Sequence, residues 1–183
     1  MGTPEISLVV PHKGLIGSYA AALREGWSPN TFRDVSADEL EAVEDDPDEF
    51  LRDLIAWEGT VELADGSPAP RLPFRIFWID DGEFSGVIGL RFQHGTEELP
   101  DYVPGHIGYS IVPWKRRRGY ATRALSLILP VARAEGLARV RVSCDAENEA
   151  SKKVILSNGG KLIGMTPHDQ ETGRPTLSYW IET

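Results

Sequence analysis

The sequence predicts a single α+β domain, residues 1–183, on a mixed, mostly antiparallel central sheet with helices on both faces. Three observations carry that reading. Two apolar runs, Phe74 to Ile79 and Phe84 to Phe92, flank Asp80-Asp81-Gly82, a strong hairpin signal. His106 to Val112, Tyr120 to Glu135 and Ala138 to Cys144 then read as strand, helix and strand, the last with Ala138, Val140, Val142 and Cys144 on alternate positions. A length of 183 residues with 41% hydrophobic content suits one compact core rather than two domains.

The elements follow in order. Glu5 to Pro11 reads as a short strand, and Leu15 to Glu25 as a helix closed by Gly26, with Ile16, Tyr19, Ala20 and Leu23 near one face. Asp34 to Glu58 holds eleven acids against Arg52 alone, with apolar residues at helical spacing. Ser36 is the expected N-cap there, and Pro47 divides the stretch into two helices. Thr60 to Arg71 and Gly95 to Gly105 read as loops on either side of the hairpin. Pro130 should bend the helix that contains it. Asn148 to Ser157 is a further helix ended by Asn158-Gly159-Gly160, and Lys161 to Met165 and Thr176 to Ile181 are closing strands. Most of Trp27, Phe32, Trp57, Trp78 and Trp114 are assigned to the core by default, with one or two left open as lining a ligand pocket.

Composition removes several function classes. A net charge of −9 disfavours a nucleic-acid binder that relies on whole-chain charge. A single cysteine, Cys144, allows neither an internal disulfide nor a thiolate metal cluster; it is expected as a buried core thiol in a reducing compartment, and no metal site is expected. No apolar run is long enough to cross a membrane and no secretion signal opens the chain, so the expected location is the cytoplasm.

The informative segment is Gly105-His-Ile-Gly-Tyr-Ser-Ile-Val-Pro-Trp-Lys-Arg-Arg-Arg-Gly-Tyr-Ala121, a strand that passes through a basic turn into the first turn of a helix. Amides from about Arg117 to Thr122 lack intrahelical acceptors, the helix dipole is positive there, and Gly119 permits close backbone approach, so the turn suits an anion such as a pyrophosphate. The glycine spacing matches neither a P-loop nor a dinucleotide fingerprint.

Arg116-x-x-Gly119-x-Ala121 after a strand resembles the acyl-CoA-binding motif of the GCN5-related N-acetyltransferase (GNAT) superfamily. Asn148-Glu-Ala-Ser151, beginning 29 residues after Gly119, together with Asn158-Gly-Gly, resembles that family's second cofactor segment. Within the superfamily these motifs look most like a group of predicted acetyltransferases related to those acting on protein N-termini. The resemblance implies acetyl-CoA as acyl donor. Ile111 and Val112 would pair with its pantetheine arm where the strands of Val112 and Cys144 splay. Arg117, Arg118, Gly119, Tyr120, Ala121 and Thr122 would donate to the diphosphate, aided by the Arg116 or Arg118 side chain. Asn148 and Ser151 belong to the arm's binding segment, and Lys152 or Lys153 could reach the 3′-phosphate. It also implies an amine acceptor, a small molecule or a peptide, acetylated by direct attack in a ternary complex.

For the chemistry, the Val112 amide is the expected oxyanion donor and His106 the candidate general base, weighed against a structural histidine, with His94 a second candidate. Ile155 stands where many members have a tyrosine acid; Ser151, Tyr109 or water is left for that role, or none, because a thiol of pKa about 8.5 is already a fair leaving group. That departure keeps open a catalytically inactive CoA-binding module. A solvated face or a lure for cationic amines accounts for the acidic helices, and a homodimer stays open.

Overall fold

The computed structural model describes residues 4–31, 33–56, 59–62, 66–167 and 173–183. The candidate core residues Phe32 and Trp57 lie outside them. The class is α+β. Ser7–Val9 (β1), Phe74–Asp80 (β4), Phe84–Arg91 (β5) and Ile107–Ile111 (β6) form a four-stranded sheet in the order β1-β4-β5-β6; Thr60–Glu62 (β2) and Pro68–Pro70 (β3) form a hairpin; and Arg139–Asp145 (β7), Lys161–Thr166 (β8) and Thr176–Glu182 (β9) form a sheet in the order β7-β9-β8. Helices are Lys13–Arg24 (α1), Ser36–Asp45 (α2), Pro47–Ile55 (α3), Tyr120–Ala134 (α4) and Glu149–Ser157 (α5).

The chain divides into two compact units: Met1–Ala56, Arg75–Ile88 and Tyr109–Ala124; and Trp57–Phe74, Gly89–Gly108 and Leu125–Thr183. The first is built on aromatic packing. Tyr19 stacks on Trp78 at 4.7 Å and meets Phe84 edge-on at 4.9 Å, with Leu15, Leu23, Phe50 and Leu51 around them, so the apolar face of α1 is covered as its periodicity requires. The Tyr19 hydroxyl donates to Glu39 of α2, and Trp27 Nε1 donates to Ser110 Oγ at 3.0 Å. In the second unit, β7 and β9 pair antiparallel, setting Val140 opposite Ile181 and Val142 opposite Tyr179, all four buried.

Three local expectations are corrected. The N-cap of α2 is Val35 rather than Ser36: Ser36 is the first helical residue, and its amide and hydroxyl both donate to Asp34. Thr60 to Arg71 is not all loop, since β2 and β3 pair within it. Trp114, assigned to the core, is instead exposed. Pro130 lies inside α4, within the expected helix, which continues to Ala134. Pro47 divides the acidic stretch as expected, with Asp46 capping α3 by accepting from the amides of Asp48 and Glu49.

Candidate active site

The turn between β6 and α4 forms in steps. Val112 leads into a 3-10 turn, Pro113–Lys115; Arg117 then takes a left-handed φ of 59° and Gly119 one of 86°, and α4 starts at Tyr120. Arg117 is the one non-glycine residue among those described with positive φ, a strained conformation that the turn sustains. The Arg123 amide donates to Gly119 O at 2.9 Å, while the amides of Arg117, Arg118, Gly119, Tyr120 and Ala121 have no acceptor among the described residues. Five N–H groups thus converge on the positive end of a 15-residue helix. The left-handed φ calls for glycine at 119, and a side chain there would also start 3.2 Å from the Pro4 ring, a tight contact.

The basic run does not present four cations. Lys115 is buried, and its ammonium donates to Asp81 Oδ1 at 2.6 Å and Ser85 Oγ at 3.1 Å. Arg116 turns Nε onto the Ile111 carbonyl at 2.9 Å. Arg117 and Arg118 are exposed and remain to face an anion. Asp81 also accepts from the Tyr120 hydroxyl at 2.6 Å. Burial alone would raise the Asp81 carboxyl, but the hydrogen bonds from Lys115, Tyr120 and Ser85 prevail and hold it at about 2. Asp81 was legible in the sequence only as turn punctuation; nothing in its spacing points to Lys115, 34 residues away.

The phase of β6 overturns the expected oxyanion donor. Val112 N donates to Ser85 O at 3.1 Å, and His106 O accepts from Arg91 N at 2.8 Å, so even-numbered positions turn their backbone toward β5. The Val112 amide is therefore occupied. By alternation Ile111 turns its N–H and C=O away from β5, consistent with the Arg116 contact to its carbonyl, and Ile111 replaces Val112 as the candidate donor.

His106 is fully buried. Its Nδ1 accepts the Arg141 amide at 2.9 Å, leaving Nε2 as the protonated nitrogen, without a hydrogen-bond partner among the described residues. Burial, reinforced by the Arg141 cation, pulls its pKa down to about 4. With its lone pair occupied and the ring sealed from solvent, His106 is placed as a structural histidine, against the general-base expectation. His94 follows β5, exposed, with its ring edge-on to Phe92 at 5.2 Å.

In the second unit Asn148 caps α5, its Oδ1 accepting the Ser151 amide at 3.0 Å, which leaves its NH₂ as the group able to bond an arm. Lys152 turns back to Ala146 O at 2.9 Å and pairs with Glu149, which raises its pKa; Lys153 is exposed. The Lys152 ammonium is thus held within its own helix start, against the expectation that it reaches a phosphate. Ile155 is wholly buried and packs where Gly160 comes close, so no proton donor occupies that position. Cys144 is buried and interacts with Ser151, and burial pushes its thiol up. Among the described residues no group of three His, Cys, Asp or Glu could hold a metal ion, and no helix is long and apolar enough to cross a membrane.

Residues 21–161 match the family model described as an acetyltransferase (GNAT) domain. The chain belongs to the GNAT acetyltransferase family. GNAT enzymes are acetyl-CoA-dependent N-acetyltransferases, and the open turn described above has the donor chemistry for that donor's diphosphate. Solved structures similar to this chain include RimJ of Mycobacterium smegmatis in complex with CoA-disulfide, with 21% identity, TM-score 0.66, and coverage of 98% of this chain and 83% of that one. Another is the microcin C7 self-immunity acetyltransferase MccE with acetyl-CoA and AMP, with 14% identity, TM-score 0.64, and coverage of 98% and 93%. A third is the Salmonella typhimurium acetyl transferase that modifies the N-terminal serine of ribosomal protein L7/L12, with 13% identity, TM-score 0.64, and coverage of 97% and 95%. At these identities the likeness is one of fold. Comparison with curated proteins gives no match.

Proposed function

We propose that residues 1–183 act as one N-acetyltransferase domain that moves an acetyl group from acetyl-CoA to a primary amine, on a small molecule or a peptide, by direct attack in a ternary complex in the cytoplasm. The observation that carries the proposal is the set of five amides, Arg117 to Ala121, left without acceptors among the described residues at the start of α4. These hold the diphosphate, with Arg117 and Arg118 adding exposed positive charge. Acetyl-CoA, when bound, supplies an activated carbonyl and a thiol leaving group. Ile111 turns its amide away from β5 and so offers a donor to the carbonyl oxygen. The Arg116 guanidinium leaves the Ile111 carbonyl when the arm pairs there. Because His106 has no free lone pair, proton removal from the ammonium falls to solvent or to the acceptor's own environment. The acidic faces of α2 and α3 favour a cationic acceptor by electrostatic attraction.

The test is release of free thiol from acetyl-CoA against a panel of polyamines, small amines and peptide N-termini, beside calorimetric titration with CoA. Amine-dependent thiol release is the expected result. The buried Ile155, at a position where a proton donor is often found, supports one competing reading, a CoA-binding module without turnover. Tight CoA binding with no thiol release across the panel would establish that reading instead.

A further inference from the structure

We propose that Asp81, at the tip of the β4–β5 hairpin, is a positioning residue that sets the Arg116–Tyr120 turn in its CoA-binding geometry. The inference rests on the reading that this turn receives the CoA diphosphate. Within the turn Arg116 is anchored, its amide to Pro113 O at 3.3 Å and its Nε to Ile111 O at 2.9 Å; beyond it the backbone is left-handed at two points, and the amides from Arg117 to Ala121 find no acceptor among the described residues. One carboxylate ties both ends of the turn from outside, and Glu83 Oε2 stands as a second, more distant anion 3.7 Å from the Lys115 ammonium. Oδ1 of Asp81 takes the Lys115 ammonium at 2.6 Å on the entering side, and Oδ2 takes the Tyr120 hydroxyl at 2.6 Å on the leaving side. Ser85 Oγ, fully buried in β5, receives a second Lys115 hydrogen bond at 3.1 Å.

The strength of this clamp follows from burial. The Lys115 side chain is 8% exposed and that of Asp81 18%, so the pair is largely screened from water, and removal of the Asp81 charge would leave the buried ammonium with the exposed Glu83 carboxylate, 3.7 Å away, as its only counter-charge among the described residues. Charge-assisted bonds to both oxygens also constrain direction, not only distance. The amides left outside the clamp are those needed for an anion: Lys115 and Tyr120 fix their own side chains inward, while the peptide groups between them stay unoccupied. A cation in the basic run thereby serves as internal support, and the hairpin tip acts at the turn through Lys115 and Tyr120.

The experiment uses the full chain with Asp81→Asn and Tyr120→Phe. Calorimetry with CoA reads binding directly, and initial rates with acetyl-CoA are compared with S-acetylpantetheine, a donor that lacks the diphosphate. Asp81→Asn is expected to weaken CoA binding and raise KM for acetyl-CoA about ten-fold while kcat stays within about two-fold, and the penalty should vanish with S-acetylpantetheine. Tyr120→Phe, which keeps the Lys115–Asp81 pair, should weaken CoA binding about three-fold. Equal losses with the two donors, or unaltered CoA affinity in a folded Asp81→Asn protein, would overturn the proposal. If Asp81→Asn does not fold, unaltered CoA affinity in Tyr120→Phe overturns it. Wild-type protein that fails to bind CoA would sink the acetyltransferase reading and this inference together, whereas normal wild-type binding with an unaffected Asp81→Asn protein sinks only the latter.

Discussion

The two ends of the Gly105–Ala121 motif differ in what their polar groups have left to offer. At its start, His106 donates its amide to Arg141 O, while its carbonyl accepts from Arg91 N and its Nδ1 from Arg141 N, inside a fully buried site. At its far end five successive amides are without an acceptor among the described residues, beside two exposed arginines. Both ends carry residue types associated with acetyl transfer, yet the unpaired Nε2–H of the first is sealed inside the protein, whereas the unpaired donors of the second lie on exposed or half-buried residues. Chemistry at a polar residue depends on what its neighbours have not already satisfied.

The contrast can be broken most sharply at Gly119. Gly119→Val places a branched side chain at a left-handed position 3.2 Å from Pro4, and CoA affinity should fall about 100-fold by calorimetry while circular dichroism shows a retained fold. Unaltered affinity would remove the turn from the site.

His106 supplies the opposite test. Its folded pKa of about 4 lies below the ordinary 6.5, so above pH 6.5 both folded and unfolded forms are neutral and stability from this residue is complete. As pH falls from 6.5 toward 4 the unfolded chain takes the proton first, and stability should drop by on the order of 3 kcal/mol, read as the urea midpoint against pH. His106→Asn keeps an acceptor near the Arg141 amide and should flatten that dependence, leaving the acidic limb of kcat/KM where it was. A shifted limb would restore His106 as the base.

A smaller effect distinguishes the arginines from Lys115. Arg118→Ala should weaken CoA binding about five-fold at low salt and less at high salt, because an exposed cation acts through a screened field. The smallest effect is expected at the exposed pair Arg24–Glu44, whose side chains are 53% and 54% exposed: Arg24→Ala should change stability by less than about 0.5 kcal/mol in urea unfolding. A loss there comparable with that of Asp81→Asn would mean that burial does not separate the two ion pairs.

The order of elements was legible because it depends on local pattern. The Asp-Asp-Gly turn punctuates β4 and β5, alternation marks β7, and Pro47 divides α2 from α3 at the position it was expected to. The open turn before α4 was legible for the same reason: glycine and a helix start leave unsatisfied amides wherever the rest of the chain lies. Local chemistry misled at Ser36, where Asp34 captures the hydroxyl, and at Thr60 to Arg71, where a short hairpin hides among turn residues. The expected roles of Val112, His106 and Lys152 failed differently. Each depends on which way a backbone or side chain turns.

By itself, then, the sequence determined helices α1 to α5 and, among the described residues, every strand but β2 and β3, their succession, and the open amides after Arg116, because all of these follow from residue periodicity and from the missing hydrogen bonds of a helix start. Only the tertiary structure decided which donors stay available. Ser85 occupies the Val112 amide, Arg141 occupies the His106 imidazole, and Asp81 takes the Lys115 charge. Those pairings join residues far apart in the chain, and their strength comes from burial that exists only once the chain has folded.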